Sequence, residues 1–181
     1  GFDTTQIVPI HEGYAITHAI TCLDLAGRDL SDYMIKLLLE RGYELNPLHL
    51  LHRLVATDIK EKLAYVALDF DQEMQSVLAD PSKTKKYTCG LATFTAGLDA
   101  PVAEHYTIES ESFRCPEVLF KPWLIGKEGE GVHNSVFDAI TQCESGVREL
   151  LFSNVVLAGG SSMFEGFDKR LEKEIKALAP S

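Results

Sequence analysis

The stretch VVLAGGSSMFEG, which begins at Val155, joins an apolar run to two glycines and two serines. The apolar run predicts a buried strand, and the pair Gly159 and Gly160 allows close approach of a backbone or a ligand. A loop of this kind commonly holds a phosphate or a nucleoside. An ordinary strand-to-helix turn is the alternative, because glycine pairs also mark turns. These residues alone leave both interpretations open.

A second candidate group lies on a helix predicted by apolar residues that recur in steps of three and four between Leu48 and Val66. The opposite side of this helix carries four polar side chains on one face: Arg53, Thr57, Lys60 and Glu61. This face either contacts solvent or presents its charges to a ligand.

Standard catalytic and metal-binding motifs are absent from the sequence. AGGSSMFEG fits neither GxxxxGK[ST] nor GxGxxG, and Ser161 and Ser162 lack the GxSxG frame of a nucleophile elbow. HLLH, which ends at His52, lacks the glutamate of a zinc protease motif. The four cysteines form no CxxC pair, so we expect reduced thiols in an intracellular protein.

The composition excludes two classes of partner. A chain of 181 residues with 45% hydrophobic residues buries a real core, and a net charge of -10 argues against nucleic-acid binding. No apolar stretch approaches the roughly 20 residues that cross a bilayer, so no membrane contact is expected.

The elements that position the candidate residues follow in order along the chain. TTQIVPI and YAITHAITCL flank a turn at Gly13 and predict a hairpin, with Pro9 at an edge or bulge. LDLAGRDLSDYMIKLLLERGY predicts an amphipathic helix that stops at Gly42. A short helix over 70–78 and a strand pair follow, and a loop with Gly97, Asp99 and Pro101 is the best site for an insertion.

The remaining segments complete a chain of mixed helices and strands. FRCPEVLFKPWLIGKEGEGV predicts an exposed loop with an apolar tip at 123–125. HNSVFDAITQC and SGVRELLF predict two helices before the strand at Val155, and residues 165–179 predict a last one. The pattern indicates an α/β or α+β chain.

Six ordered blocks resemble the second half of actin and its related proteins: EGYAITHAI, LDLAGRDLSDYMIKLLLERGY, DIKEKLAYVALDFDQEM, FRCPEVLFKP, NVVLAGGSSMFEG and RLEKEIKALAPS. The resemblance is interrupted by a small insertion before Asp58 and a larger one over residues 91–104. It implies an α/β, ribonuclease H-like half of the actin-like ATPase superfamily with an inserted α+β subdomain. Residues 1–25 with 128–181 would then be subdomain 3, and residues 26–127 subdomain 4.

The same resemblance implies a site for ATP or ADP with Mg²⁺ or Ca²⁺. The implied nucleotide-binding residues are Gly27, Lys60, Glu61, Gly159, Gly160, Ser161, Met163 and Phe164. The implied phosphate loop is Gly1, Phe2, Asp3 and Thr4, with Asp3 as a metal contact through a water and Gln6 orienting the attacking water.

Several of these residues depart from the family pattern. Gly1-Phe2-Asp3 replaces a glycine-aspartate-glycine loop, and Gln6 replaces a histidine, which puts phosphate binding, metal binding and hydrolysis in doubt. Thr57 replaces an arginine beside the adenine, and Phe164 replaces a tyrosine. We expect Arg53, one turn earlier, to substitute in part for the lost arginine.

Two functions follow from the resemblance. The first is a portion of an ATP-binding cytoskeletal protein, one jaw of its cleft, that assembles into filaments and slowly hydrolyses ATP once the other half is supplied. The second is a divergent actin-related protein that serves as a non-polymerising scaffold subunit, as in dynactin or chromatin-remodelling complexes. The expected partners are actin-family protomers or actin-binding proteins, in the cytoplasmic cytoskeleton or the nucleus.

The resemblance also implies two further strands. One should precede Gly1 and lie between the hairpin and residues 155–157, and another should follow Ser181. We therefore expect a longer polypeptide or strands from a partner chain.

Overall fold

The computed structural model of the protein describes residues 1–90 and 102–178. The chain divides into two compact units. The terminal unit comprises Gly1–Arg28 and Val118–Ser181, and the central unit comprises Asp29–Glu117. The predicted insertion loop at Gly97, Asp99 and Pro101 lies outside the described residues, as does the predicted helix end after Leu178.

The described residues form short strands and longer helices. The strands are β1 Thr5–Ile7, β2 Ile10–His11, β3 Tyr14–Ala15, β4 Thr21–Leu23, β5 Lys85–Thr88 and β6 His105–Ile108. The helices are α1 Gly27–Glu40, α2 Leu50–Leu63, α3 Phe70–Ala79, α4 Glu111–Glu117, α5 Val132–Thr141, α6 Ser145–Ser153 and α7 Phe167–Leu178. Short 3₁₀ helices occupy Thr17–Ala19, Pro81–Lys83, Pro122–Ile125 and Gly160–Met163. No helix in the described ranges is long and apolar enough to cross a membrane.

The predicted hairpin is confirmed at the start of the terminal unit. β2 pairs antiparallel with β3, and β1 pairs antiparallel with β4. The turn residues Glu12 and Gly13 have φ of 51° and 82°, the left-handed values that a tight two-residue hairpin turn requires. Pro9 lies between β1 and β2, outside both ladders, where its missing N–H costs no ladder bond.

The core of the central unit forms between α1, α2 and the β5–β6 pair. Four apolar side chains of α1 are completely buried: Leu30, Met34, Leu37 and Leu38. α1 ends before Gly42, whose φ of 98° is the left-handed stop that the sequence predicts. α2 is shorter than its apolar stripe suggests, but it buries Val55 and Ile59 as expected.

The predicted exposed loop over 113–120 is wrong. α4 and the residues after it are buried, with Phe113, Cys115 and Val118 fully inaccessible to solvent. Pro116 cannot donate to the carbonyl of Ser112 one turn before it. The N–H of Tyr65 bonds to that carbonyl at 3.1 Å, so the proline fits in a buried helix. Only Trp123 of the predicted apolar tip is strongly exposed, at 59%.

The predicted buried strand at 155–157 is also not observed. These residues follow α6 as an exposed segment, and within the described residues no backbone hydrogen bond involves positions 155–158. A cavity of about 480 Å³ in the terminal unit, which we call the β1 slot, has β1 on one side and residues 154–158 on the other. Apolar side chains of α5 and α7 also line it: Val132, Val136, Ile140, Phe167 and Leu171.

Candidate functional site

Three glycines that lie far apart in the sequence meet in the terminal unit. The carbonyl of Gly1 accepts a hydrogen bond from the N–H of Gly27 at 3.1 Å. A Cβ added at Gly159 would lie 3.8 Å from the nitrogen of Gly1. We call this meeting point the glycine contact. The fold thus places the loop after residue 158 beside the start of the chain and the first residue of α1.

The loop at Gly159 is held in its shape by its own hydrogen bonds. Gly159 has φ of 102°, a value that favours glycine, and its carbonyl accepts from both the N–H and the hydroxyl of Ser162. Ser161 lines the β1 slot, and Gly160 opens the 3₁₀ helix. These contacts stabilise the turn that follows Gly159.

Two side chains after this loop differ sharply in exposure. Met163 is 81% exposed, whereas Phe164 is 8% exposed. The flexible thioether of Met163 is therefore accessible to a ligand, and thioethers pack well on aromatic rings. Phe164 is packed within the terminal unit.

The residues of the implied phosphate loop contact the start of α1. The N–H of Arg28 bonds to the carbonyl of Phe2 at 2.9 Å, and its guanidinium lies 5.0 Å from the centre of the Phe2 ring. Arg28 also pairs with the Asp3 carboxylate at 2.9 Å. Thr4 is exposed. Arg28 was not among the sequence candidates, although it stands beside Gly27 in the AGRD stretch.

Gln6 lies in the middle of β1, opposite Cys22 of β4. Its side chain is exposed, and it lines the β1 slot with its neighbours Thr5 and Ile7. The role of this side chain in orienting a water stays a prediction.

The candidates on α2 belong to the central unit. Lys60 is 6% exposed, and its ammonium donates to the hydroxyl of Ser31 at 3.0 Å. Thr57 donates to the same hydroxyl at 3.0 Å, whereas Glu61 is exposed. Arg53 pairs with Asp32 of α1 at 2.8 Å. Three of the four polar side chains thus contact α1, which the helical spacing alone did not predict.

Burial and the nearby Lys60 have opposite effects on the pKa of the Cys115 thiol. Burial raises the pKa of the Cys115 thiol to about 12, and the charge of Lys60 opposes part of that rise. Cys115 bonds to the Leu30 carbonyl and is inert at neutral pH, because only a thiolate reacts.

The described residues do not by themselves fit a divalent metal ion. No group of three or more His, Cys, Asp or Glu side chains converges within 1–90 and 102–178. Asp3, the implied contact, is engaged by Arg28. A Mg²⁺ or Ca²⁺ site needs several free oxygen ligands, so we derive no step through a metal.

The sequence profile of the Actin family matches residues 1–55 and 49–181 of this chain. The chain belongs to the actin family. The two matched segments overlap at the start of α2 and together cover both units. Membership agrees with an α/β actin-like fold, and members of this family usually bind a nucleotide together with a divalent metal.

Proposed function

We propose that this actin-family chain forms one jaw of an adenine-nucleotide cleft, and that the glycine contact receives the nucleoside. The observation that carries the proposal is the approach of Gly159 to Gly1, beside Gly27. Gly1 and Gly159 are exposed and carry no side chain, so a ligand can approach their backbones closely, whereas Gly27 is buried. The exposed Met163, four residues after Gly159 in the chain, supplies a soft apolar side chain.

The proposal includes a finer account of the fold. The terminal unit corresponds to subdomain 3 of a ribonuclease H-like half, and the central unit to the inserted subdomain 4. The division of the chain after Arg28 and after Glu117 supports this assignment. The insertion of one folded unit between two segments of another is the arrangement that such a subdomain requires.

Binding of ADP tests this function, measured by calorimetry on the full polypeptide that contains the chain. The variant Met163→Ser should weaken ADP binding about 2- to 12-fold, which is the range expected for loss of a sulfur–aromatic contact. Tyr14→Ser is the control, since Tyr14 is 80% exposed in the same unit but outside the glycine contact. Equal affinities for both variants and the parent protein would contradict the proposed site.

The larger protein would then be an ATP-binding cytoskeletal protein that assembles into filaments with other actin-family protomers or with actin-binding proteins. Slow ATP hydrolysis would require residues of the other jaw, with Gln6 as the water-orienting side chain. Its place would be the cytoplasmic cytoskeleton or the nucleus.

The alternative is a non-polymerising scaffold subunit in which nucleotide, if bound, only stabilises the fold. The engagement of Asp3 by Arg28 favours it, because that carboxylate is not free to hold a metal. Polymerisation of the parent protein, measured beside that of Leu124→Asp, separates the two functions. Leu124 is half-buried beside the exposed Trp123, and an added charge there should block filament contacts. No polymer from the parent protein supports the scaffold function.

A further inference from the structure

The cluster formed by Phe2, Asp3 and Arg28 has features that the proposed nucleoside site does not explain. All three side chains are more than half exposed, yet they are joined by an ion pair and a cation–π contact. Holding exposed side chains in one geometry costs conformational entropy, so such contacts at a surface are usually weak. The cluster therefore keeps a guanidinium at a defined position on the surface of the terminal unit.

That position is next to the glycine contact. Arg28 follows Gly27, and Asp3 follows Gly1 by two residues, while the Gly27 N–H and the Gly1 carbonyl are bonded to one another. The N–H groups of Gly27 and Arg28, the first two of α1, are both taken by carbonyls. The first two residues of α1 therefore offer no free backbone N–H group. The side chain of Arg28 is the cationic group at this N-terminal end of the helix.

The two contacts of Arg28 differ in whether they leave the N–H donors of its guanidinium accessible to a ligand. Stacking on Phe2 uses one face of the guanidinium and leaves the planar edge with its N–H donors accessible. The Asp3 carboxylate, in contrast, occupies that edge at 2.9 Å from one terminal nitrogen. Carboxylates and phosphates bind the same donor fork of arginine, so Asp3 holds the position that a phosphate oxygen would take.

We propose that Asp3 is an internal competitor for the phosphate groups of a nucleotide, with Arg28 as the shared cation and Phe2 as the support that keeps Arg28 in place. This inference rests on the proposed nucleoside site at the glycine contact. A diphosphate must displace Asp3 from Arg28 and must lie close to its negative charge, whereas a nucleoside without phosphate meets neither obstacle. Asp3 therefore weakens the binding of the phosphates and leaves the binding of the nucleoside unchanged.

The test compares adenosine with ADP on the full polypeptide, by calorimetry at low ionic strength, for the parent protein and Asp3→Asn. The parent protein should bind the two ligands within about threefold of each other. Asp3→Asn should tighten ADP binding on the order of tenfold and leave adenosine unchanged, because removal of one nearby charge acts on the phosphates alone. Far-UV circular dichroism checks that the variant is folded.

Two further variants separate this effect from simpler ones. Asp24→Asn changes the net charge equally, and Asp24 pairs with Lys127 in the same unit but outside the cluster. It should leave both affinities unchanged. Adding Arg28→Gln to Asp3→Asn should abolish the gain for ADP, because the phosphate then has no guanidinium to bind.

The outcomes distinguish this inference from the proposed function. Adenosine binding with an unchanged ADP affinity in Asp3→Asn keeps the nucleoside site and overturns the competition by Asp3. Equal gains from Asp3→Asn and Asp24→Asn show an effect of net charge and also overturn it. If neither ligand binds any variant, the proposed site itself is wrong, and the inference is wrong with it.

Discussion

Strand β6 in the central unit and residues 155–157 in the terminal unit both carry residue types that are common in strands, but their surroundings differ. β6 forms four residue pairs with β5, and its Tyr106 and Ile108 are 1% and 0% exposed. Tyr43 packs against Tyr106, with ring centres 4.7 Å apart. The strand thus has a ladder on one edge and a packed face.

Residues 155–157 have neither. Val155, Val156 and Leu157 are 41%, 88% and 38% exposed. Within the described residues no backbone hydrogen bond reaches them, and the β1 slot separates them from the nearest strand. A strand is stabilised by its cross-strand pairs and by burial of one face, so residues 155–157 do not form a strand here.

The contrast shows that residue type alone does not decide whether a segment becomes a strand. A second strand must also be present for the segment to pair with. β5 supplies that neighbour for β6. Along the β1 slot, β1 and residues 154–158 face each other across a gap lined by apolar side chains.

The largest effect is expected from truncation of β6. Ile108→Ala should lower the free energy of unfolding by about 2–5 kcal/mol, because it leaves a cavity in a fully buried position. Val156→Ala should change it by less than about 0.5 kcal/mol, as for other exposed positions. Urea denaturation followed by circular dichroism measures both. Similar losses in the two variants would show that residues 155–157 are packed in solution, against the comparison drawn above.

A second prediction concerns the ion pairs at the end of β6. Arg41 at the end of α1 bonds to Glu109 and Glu111, and Glu111 is 4% exposed. Arg41→Met should destabilise the central unit by about 3 kcal/mol, because it leaves a buried carboxylate without its cation. The same denaturation experiment measures this loss.

Arg114→Met is the matched control for this variant. Arg114 pairs with Glu40, and both side chains are about one-third or more exposed. Exposed ion pairs contribute about 0–1 kcal/mol, and Arg114 also donates a hydrogen bond to the Tyr33 hydroxyl, so this variant should lose less stability than Arg41→Met. If the two arginine variants lose equal stability, burial of Glu111 is not what makes the Arg41 contacts strong.

The sequence was sufficient for the elements that have clear periodicity and end signals. α1 with its stop at Gly42 and the hairpin turn at Gly13 follow from spacing and glycine positions alone. The buried helix α4 could not be predicted, because the partner that makes Pro116 acceptable is the N–H of Tyr65, about 50 residues away in the chain. A proline inside a helix is unusual, and only the tertiary contact overrides that signal.

The candidate site likewise contains residues that the sequence indicated and a contact that it did not. Glycine pairs and family resemblance indicated Gly159 and Gly27, and the structure brings both close to Gly1. The pairing of Arg28 with Asp3 was not predicted, because it joins two exposed side chains whose contact depends on how α1 begins. Long-range contacts of this kind leave no periodic signal in the sequence.

The smallest predicted effect is a pH dependence at the same end of β6. The hydrogen bond from Arg41 lowers the pKa of Glu109 from its ordinary value of 4.5. Because the folded-state pKa is the lower one, this carboxylate stabilises the fold above pH 4.5, and the contribution is lost as the pH falls through the folded-state pKa. Glu109→Gln should therefore show a flatter acid limb of the urea midpoint plotted against pH. In Arg41→Met the same substitution should have no effect on that limb, and an unchanged difference there would assign the acid sensitivity to another group.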